Sequence, residues 1–237
     1  MVALILAAGA GTRLMPLTRQ TPKCLIDVAG KALLDREIDI LLGRGVDNIM
    51  IATGFGHEKV RRHVERTWSE GNIQLVFNEK YASTNYIYSM WLAGRVISDD
   101  VLLLHGDLVF DPSLLDKLLD GASENGVLVR RTGELPEKDF KAIVNEDRVK
   151  RISVDADGAD ARFCAPFYKL SRGAFVAWCD RMTDFIENGR TGCYAEEALN
   201  KILDDVFLPP IYYDDEFCME IDTLDDLKIA GEYLAAD

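Results

Sequence analysis

The sequence is poor in residues that could build a zinc cluster or a disulfide framework. It has three histidines and five cysteines, and the cysteines are odd in number, widely spaced and without a C-x-x-C pair. A structural zinc site needs four Cys or His ligands at short spacings, and a disulfide framework needs an even set of cysteines. We therefore expect reduced thiols and a cytoplasmic protein.

Positive charge is also scarce. Lys and Arg number 27 against 40 Asp and Glu, which gives a net charge of -13. Binding to a nucleic-acid backbone rests on many Lys and Arg contacts, so this balance argues against a nucleic-acid partner. A polyanionic ligand would have to be held by a few local cations together with a divalent metal.

Long apolar runs are absent as well. No run approaches the ~20 apolar residues that a bilayer-spanning helix requires. Met1 leads directly into a predicted strand, without a basic leader followed by an apolar core. These features predict a cytoplasmic protein with no membrane span.

The sequence does contain a regular alternation of strand-like and helix-like segments. Strands are predicted at 2–8, 48–52, 73–77 and 101–107, and helices at 33–43, 58–68 and 86–96. This alternation predicts βαβ units, and so an α/β fold with a mostly parallel, doubly wound, Rossmann-like sheet. With 237 residues and no linker-like stretch, the chain is expected to form a single domain, 1–237.

The second half of the sequence has a different pattern of apolar and polar residues. The stretch "FKAIVNEDRVKRISV" alternates apolar and polar residues on either side of Asn145-Glu146-Asp147, which predicts a β-hairpin. Another strand, "FCAPFYKLS", precedes helices at 173–188 and 195–204. The strand "FCMEI" then leads to Asp222, and Thr223 is a suitable N-cap for the last helix.

The chain after the first strand is unusual, because glycines, prolines and cations stand where an ordinary helix would begin. A dinucleotide-binding fingerprint is excluded, since Leu14 occupies its third glycine position and Pro16 would break the helix. A G-x-x-x-x-G-K-[ST] phosphate loop is absent. Gly9 and Gly11 can bring backbone N–H groups close to a ligand, and the nearby cations suit a nucleoside triphosphate.

The stretch "LAAGAGTRLMPLTRQTPKCLIDVAGKALL" closely resembles the signature of nucleotidyltransferases that make nucleoside-diphosphate sugars and CDP-alcohols. Ala32 replaces the usual proline of the last turn. The resemblance implies that Arg13 and Lys23 are catalytic, because they stabilise charge during transfer. It assigns base and phosphate binding to the strand end and loop formed by Leu6, Ala7, Ala8, Gly9, Ala10, Gly11 and Thr12.

The same resemblance divides the single domain into two parts. A nucleotide-binding part is expected over about 1–110, and an acceptor-binding part with the hairpin-containing insertion over about 111–237. Asp107 and Asp222 both follow predicted strands, and ligands of open α/β sheets bind at the carboxyl ends of the strands. Turn and capping roles are the alternatives for these residues. The family uses aspartates at both positions to hold Mg²⁺, which prefers oxygen ligands.

The stretch "FNEKYASTNYIYSMW" resembles the choline-phosphate cytidylyltransferase branch and its aminoethylphosphonate relatives more than the sugar-nucleotide enzymes. Asn85 and Ser89 are four residues apart on one helix face and are assigned to the nucleotide site. The implied substrates are CTP and a small phosphorylated or phosphonate acceptor.

Acceptor binding is assigned to residues of the second half. Lys141 would meet the acceptor phosphate as a point charge. Aromatic faces would hold a cationic group, with carboxylates as counter-charges. The aromatic residues considered are Tyr86, Phe140, Tyr168 and Tyr194, of which Tyr194 is preferred, and the carboxylates are Glu196 and Glu197. His105 is expected to be a packed structural residue.

The predicted reaction is Mg²⁺-dependent transfer of a cytidylyl group to a phosphocholine-like acceptor, with release of pyrophosphate. The acceptor phosphate is already mostly dianionic at pH 7, so no general base is needed. Two alternatives stay open: a uridylyl- or thymidylyltransferase acting on a sugar 1-phosphate, and an inactive nucleotide-binding regulatory module.

Overall fold

The structure, a computed structural model, describes residues 1–69 and 72–236. The strands are β1 (Val2–Ala7), β2 (Asp27–Val28), β3 (Lys31–Ala32), β4 (Asn48–Thr53), β5 (Asn72–Phe77), β6 (Val101–His105), β7 (Leu108–Phe110), β8 (Gly126–Arg130), β9 (Lys141–Asn145), β10 (Arg148–Ser153), β11 (Ala161–Leu170), β12 (Pro210–Tyr213) and β13 (Cys218–Glu220). The helices are α1 (Leu33–Leu42), α2 (His57–Thr67), α3 (Tyr86–Gly94), α4 (Pro112–Asp120), α5 (Arg172–Glu187), α6 (Ala195–Leu199) and α7 (Leu224–Ala236).

Four parallel strands form the centre of the main sheet, in the order β6-β1-β4-β5. Leu4 of β1 lies opposite Met50 on one side and Leu103 on the other. All three residues are buried, as expected for central parallel strands covered on both faces. The prediction of an α/β fold with a mostly parallel central sheet is confirmed.

The sheet continues on the β6 side with antiparallel strands. Strand β11 pairs antiparallel with β6, β8 and β9, and β12 joins β8 in parallel. Strands β9 and β10 form the predicted hairpin, with Glu146 at its turn in a left-handed conformation of φ 56°. This nine-stranded sheet draws its strands from both halves of the chain.

Helices cover both faces of the sheet and bury a separate apolar cluster on each. On one face, α3, α5 and α6 contribute Met90, Trp178 and Leu199. On the other face, α1, α2 and α4 contribute further leucines and valines. This two-sided packing is the doubly wound arrangement. No helix in the described part of the chain is both long and apolar enough to span a bilayer.

Local sequence signals explain the starts of three helices. Asn85 caps α3 through its side chain, and Asp111 caps α4 immediately before Pro112. The hydroxyl of Thr223 accepts the N–H of Asp226, while the Asp226 carboxylate accepts the N–H of Thr223, which confirms the predicted cap.

The helix predicted over 195–204 is shorter in the structure, because α6 ends at Leu199 and turns follow. The side-chain amide of Asn200, the next residue, exchanges two hydrogen bonds of 2.8 Å with the backbone of Ile152 on β10. A tertiary contact thus ends a helix that its sequence alone would continue.

Candidate active site

The loop that follows β1 depends on Gly11. This residue has φ 61°, and a Cβ added to it would lie 2.9 Å from the Cβ of Lys23. The Thr18 hydroxyl donates to the Gly11 carbonyl at 2.7 Å and fixes the turn. A Cβ on Gly9 would meet no atom within 4 Å, so the backbone there borders open space that a ligand can approach.

A first cavity of about 190 Å³ lies at the carboxyl ends of β1 and β6. Its wall includes 6–9 of the predicted nucleotide site, together with Asn85 and Ser89. The Ser89 hydroxyl is buried and accepts a 2.9 Å bond from the Asn78 amide. The structure therefore gathers most of the predicted nucleotide-binding residues around one cavity.

The remaining residues of the predicted loop divide between two places. Gly11 and Thr12 line a second, adjoining cavity of about 340 Å³, and Gly9 and Lys23 border both cavities. Ala10 lines neither of these two cavities and is half-buried. The two cavities thus meet along the glycine loop and the Lys23 side chain.

The carboxylates of Asp107 and Asp222 converge on the Lys23 ammonium, although 115 positions separate them in the sequence. Lys23 Nζ bonds Asp107 Oδ2, and it also bonds Asp222 Oδ1 at 2.6 Å. The Arg13 guanidinium lies 2.8 Å from the other oxygen, Asp222 Oδ2. The structure therefore brings together the two predicted metal ligands and the two predicted catalytic cations.

Backbone contacts explain this convergence. Gly106 packs directly on β1, since a Cβ there would lie 3.0 Å from the Cβ of Ala7. Strand β13 pairs antiparallel with β7, and the Ile221 N–H donates to the Asp107 carbonyl at 2.9 Å. Ile221, the residue before Asp222, is thus held beside Asp107.

The electrostatics around Lys23 favour retained charge. Burial acts to lower the pKa of Lys23, but the charges and hydrogen bonds of Asp107 and Asp222 outweigh it and raise the pKa. Asp107 Oδ1 is buried and has no hydrogen-bond partner among residues 1–69 and 72–236. A carboxylate oxygen left unpaired in this way, next to a second aspartate, suits a hard divalent cation.

His105 and Glu220 form a second pair at the same sheet edge, with His105 Nδ1 3.0 Å from Glu220 Oε1. Burial opposes protonation of His105, but the hydrogen bond to Glu220 and the negative charges of nearby carboxylates together outweigh it and raise the pKa of the imidazole. Burial also raises the pKa of Glu220, partly offset by His105. Single ligand atoms of His105, Asp107 and Glu220 lie within 4.8 Å of one another.

Glu220 is a residue that the sequence analysis missed, although a signal was present. It stands two residues before Asp222, and side chains two apart along a strand point to the same face. His105 was expected to be structural only, yet both His105 and Glu220 border the second cavity.

Aromatic rings also line the second cavity. The rings of Phe140 and Tyr194 are 5.1 Å apart, those of Tyr86 and Tyr194 5.9 Å, and those of Tyr86 and His105 4.8 Å. We call Tyr86, Phe140 and Tyr194 the aromatic wall. It stands in the same cavity as Arg13, Lys23 and the carboxylates.

Glu196 lies behind the aromatic wall rather than at its surface. It is 2% exposed and accepts hydrogen bonds from the hydroxyls of Tyr86 and Tyr168. Burial, and then the charge of Glu196, raise the pKa of Tyr86 well above 10.0. Tyr168 is fully buried. The structure therefore gives Glu196 a positioning contact with Tyr86, and not the open counter-charge that the sequence analysis assigned.

Lys141 and Glu197 also lie elsewhere than the sequence analysis expected. The Lys141 ammonium is buried and donates to the carbonyls of Glu137 at 2.9 Å and Val154 at 2.6 Å. Glu197 pairs with Arg190 at 2.7 Å, on the exposed side of α6. Neither residue borders the two cavities described above. The physical reason is that both charges are already satisfied by protein groups.

A glycine loop, paired carboxylates and two cations at the carboxyl edge of an α/β sheet define an enzyme that handles nucleotide phosphates. Residues 2–153 match the model of the family described as "Nucleotidyl transferase". The chain belongs to this family.

Several relatives are cytidylyltransferases. The chain is 28% identical to the CTP:phosphoglutamine cytidylyltransferase of Campylobacter jejuni, over 56% of this chain and 53% of the relative. It is 38% identical to the choline-phosphate cytidylyltransferase of Streptococcus pneumoniae, over 44% and 43%. The chain spans about half the length, or less, of these curated relatives.

The solved structure of the CTP:phosphocholine cytidylyltransferase LicC from Streptococcus pneumoniae superposes with a TM-score of 0.80. The match covers 98% of this chain and 99% of LicC, at 23% identity. At this identity the likeness concerns the fold, and it extends over both halves of the chain.

Proposed function

We propose that this chain transfers a cytidylyl group from CTP to a small phosphate or phosphonate acceptor that carries a cationic group. The observation that carries this proposal is the composition of the second cavity. Its lining includes Arg13, Lys23 and the two aspartates, together with the aromatic wall and Glu220. Such a cavity suits a molecule with an anionic end and a cationic end.

The donor is proposed from the relatives, since the names of the Campylobacter jejuni enzyme and of LicC both include CTP. In the proposed reaction an oxygen of the acceptor attacks the α-phosphorus of CTP, and pyrophosphate leaves. Arg13 and Lys23 hold the phosphate charges that develop during transfer. The acceptor needs no general base, because a phosphate monoester with a second pKa of ~6 is already mostly ionised.

Asp107 and Asp222 are the residues that would hold Mg²⁺. The donor set fits, because it consists of carboxylate oxygens and includes the unpaired buried Oδ1 of Asp107. The metal, when bound, would neutralise phosphate charge and polarise the reacting phosphoryl group.

The five cysteines are free in the structure, which is compatible with the proposed cytoplasmic location.

The cationic end of the acceptor is proposed to face the aromatic wall and Glu220. Tyr194 is 39% exposed and lines the cavity. Glu220 replaces Glu196 and Glu197 as the counter-charge in this proposal, because it borders the cavity. A cation held by aromatic faces and a carboxylate gains about 0.5–2 kcal/mol.

The test is pyrophosphate release with CTP, UTP and dTTP, each combined with phosphocholine, phosphoethanolamine, 2-aminoethylphosphonate and glucose 1-phosphate, with Mg²⁺ and with EDTA. We expect turnover with CTP and a cationic acceptor only. Turnover of glucose 1-phosphate alone would assign the chain to the sugar branch. Absence of turnover with every pair, alongside measurable nucleotide binding, would indicate a regulatory module.

Matched glutamine variants test the assignment of the cationic end. Glu220→Gln is expected to reduce the preference for phosphocholine over an uncharged isostere by about threefold to thirtyfold. Glu197→Gln is the control and is expected to keep that preference, because its carboxylate pairs with Arg190. If Glu197→Gln reduced the preference and Glu220→Gln kept it, Glu197 would be the counter-charge.

A further inference from the structure

Lys23 occupies the two carboxylates that the proposed function assigns to the metal. Its ammonium bonds Asp107 Oδ2 and Asp222 Oδ1 together, and Arg13 covers Asp222 Oδ2. Three of the four carboxylate oxygens are thus engaged by cations, and the fourth is the unpaired Oδ1 of Asp107. In this state the two negative charges are balanced by two positive ones.

A divalent cation at these carboxylates would compete with Lys23 directly. Side-chain exposure is 12% for Lys23, 19% for Asp107 and 20% for Asp222, so water screens these charges little. An ammonium and a divalent ion on the same pair of partly buried carboxylates would repel each other strongly. One of the two cations has to leave when the other binds.

The stem of Lys23 is fixed while its end has room to move. Lys23 begins a short 3-10 turn in which the Ile26 N–H donates to the Lys23 carbonyl at 3.0 Å. Its Cβ packs against Gly11, at the position where an added Cβ would lie 2.9 Å away. Because Lys23 borders both cavities, its ammonium can reach either one from the same backbone position.

We propose that Lys23 is the resident cation of the metal-binding carboxylates in the free protein, and that it moves to the nucleotide phosphates as nucleotide and metal enter together. This inference rests on the proposed function for the identity of the nucleotide. It gives Lys23 a second role beyond phosphate stabilisation, because Lys23 makes metal uptake depend on nucleotide. The free protein would accordingly bind a divalent ion weakly when no nucleotide is present.

Direct binding of Mn²⁺ to the full chain, measured by electron paramagnetic resonance and calorimetry without nucleotide, tests the inference. Lys23→Met is expected to bind Mn²⁺ more tightly than the wild type by about tenfold or more, because the competing ammonium is gone. Lys138→Met is the matched control. Lys138 borders the second cavity, but among residues 1–69 and 72–236 it forms an ion pair with neither aspartate. Its effect is expected to stay within about twofold.

A second measurement tests the coupling to nucleotide. A non-hydrolysable CTP analogue is expected to tighten Mn²⁺ binding in the wild type, and to tighten it less in Lys23→Met. The double variant Asp107→Asn with Lys23→Met is expected to lose the tighter Mn²⁺ binding of Lys23→Met. That loss would show that the Mn²⁺ binds at these carboxylates. Circular dichroism and a thermal melt establish that each variant is folded, and Lys23→Gln repeats the test with a polar side chain.

Equal or weaker Mn²⁺ binding by both Lys23 variants would overturn the inference. Failure of all variants to bind Mn²⁺ would overturn it too, since Lys23 would then not be what limits metal uptake. The proposed function fails in a different way. If no nucleotide supports turnover while Lys23→Met still binds Mn²⁺ more tightly, the transferase assignment fails and the resident-cation role stands.

Discussion

The buried carboxyl of Glu37 provides a prediction with a definite sign. Glu37 lies on α1 beneath the Asp107 turn and is 0% exposed. Its Oε1 accepts the Leu108 N–H at 3.2 Å, and its Oε2 has no hydrogen-bond partner in the described ranges 1–69 and 72–236. Burial, and then the charge of Asp107, raise its pKa well above 4.5, while the Leu108 N–H acts in the opposite direction. Glu37→Gln keeps the shape and the acceptor but removes the titration.

The magnitude follows from proton linkage. Above pH 4.5 the unfolded chain ionises at Glu37 while the folded protein keeps its proton. The folded state then binds more protons, so the free energy of unfolding falls as pH rises, by about 1.4 kcal/mol per pH unit up to the folded pKa. This contribution is fully present below the unfolded pKa and is lost as pH rises through the folded value. Glutamine does not titrate, so the free energy of unfolding of Glu37→Gln, relative to that of the wild type, is expected to increase with pH by the same slope.

Urea unfolding of the wild type and Glu37→Gln at about pH 5, 6, 7 and 8 measures this slope. Glu216→Gln is the control. The hydrogen bond from Lys117 is the largest cause that lowers the pKa of Glu216, to about 2, so Glu216 is ionised in both states across this range. Its substitution is expected to cost a constant free energy at each pH, without the growing difference.

A stability difference between Glu37→Gln and the wild type that stays flat from about pH 5 to 8 would refute the reasoning. It would mean that the folded protein holds Glu37 ionised, with a partner for Oε2. A difference that grows in favour of the wild type would give the opposite sign and refute it more strongly.

Three further predictions concern the site. Gly11→Ala should lower the free energy of unfolding by about 1–3 kcal/mol in urea, because φ is 61° and the new Cβ meets Lys23; an unchanged midpoint would contradict this. Arg13→Ala should lower kcat by about two orders of magnitude, and a change confined to the KM for CTP would make Arg13 a uniform binder. Asp107→Asn and Asp222→Asn should each remove most activity at saturating Mg²⁺ with an unchanged circular dichroism spectrum, and activity within a few-fold of the wild type would refute their role as metal ligands.

The central sheet and the place of the site could be predicted because both follow from local patterns. Alternating apolar strands and amphipathic helices specify parallel βαβ units, and such units bring the carboxyl ends of the strands to one edge. Asp107 stands at a strand end by its position in the sequence alone. Its meeting with Asp222 was predicted on the same basis, since both follow an apolar run.

The acceptor side could not be predicted as well, because the sequence does not tell which face of an irregular segment turns inward. Lys141 begins a hairpin strand, where alternate residues point to opposite faces, and its ammonium is buried against backbone carbonyls. Glu196 and Glu197 are adjacent on a short helix, so one points inward to the tyrosines and the other outward to Arg190. Glu220 was missed because it stands two residues before Asp222, the stronger candidate. Only Asp222 was assigned a function in that segment.

Charge balance connects the acidity of the chain to the chemistry of the site. With a net charge of -13, the protein offers a nucleotide no general attraction, and salt screens distant charges beyond about 8–10 Å. The proposed phosphate binding would therefore depend on Arg13 and Lys23, both of which form ion pairs with Asp222 in the structure. Nucleotide alone would draw these cations away and leave two partly buried carboxylates repelling each other and the phosphates. Metal alone would add positive charge where it is already balanced. Joint entry brings the positive charge of the metal together with the negative charge of the phosphates, which is why we expect their binding to be cooperative.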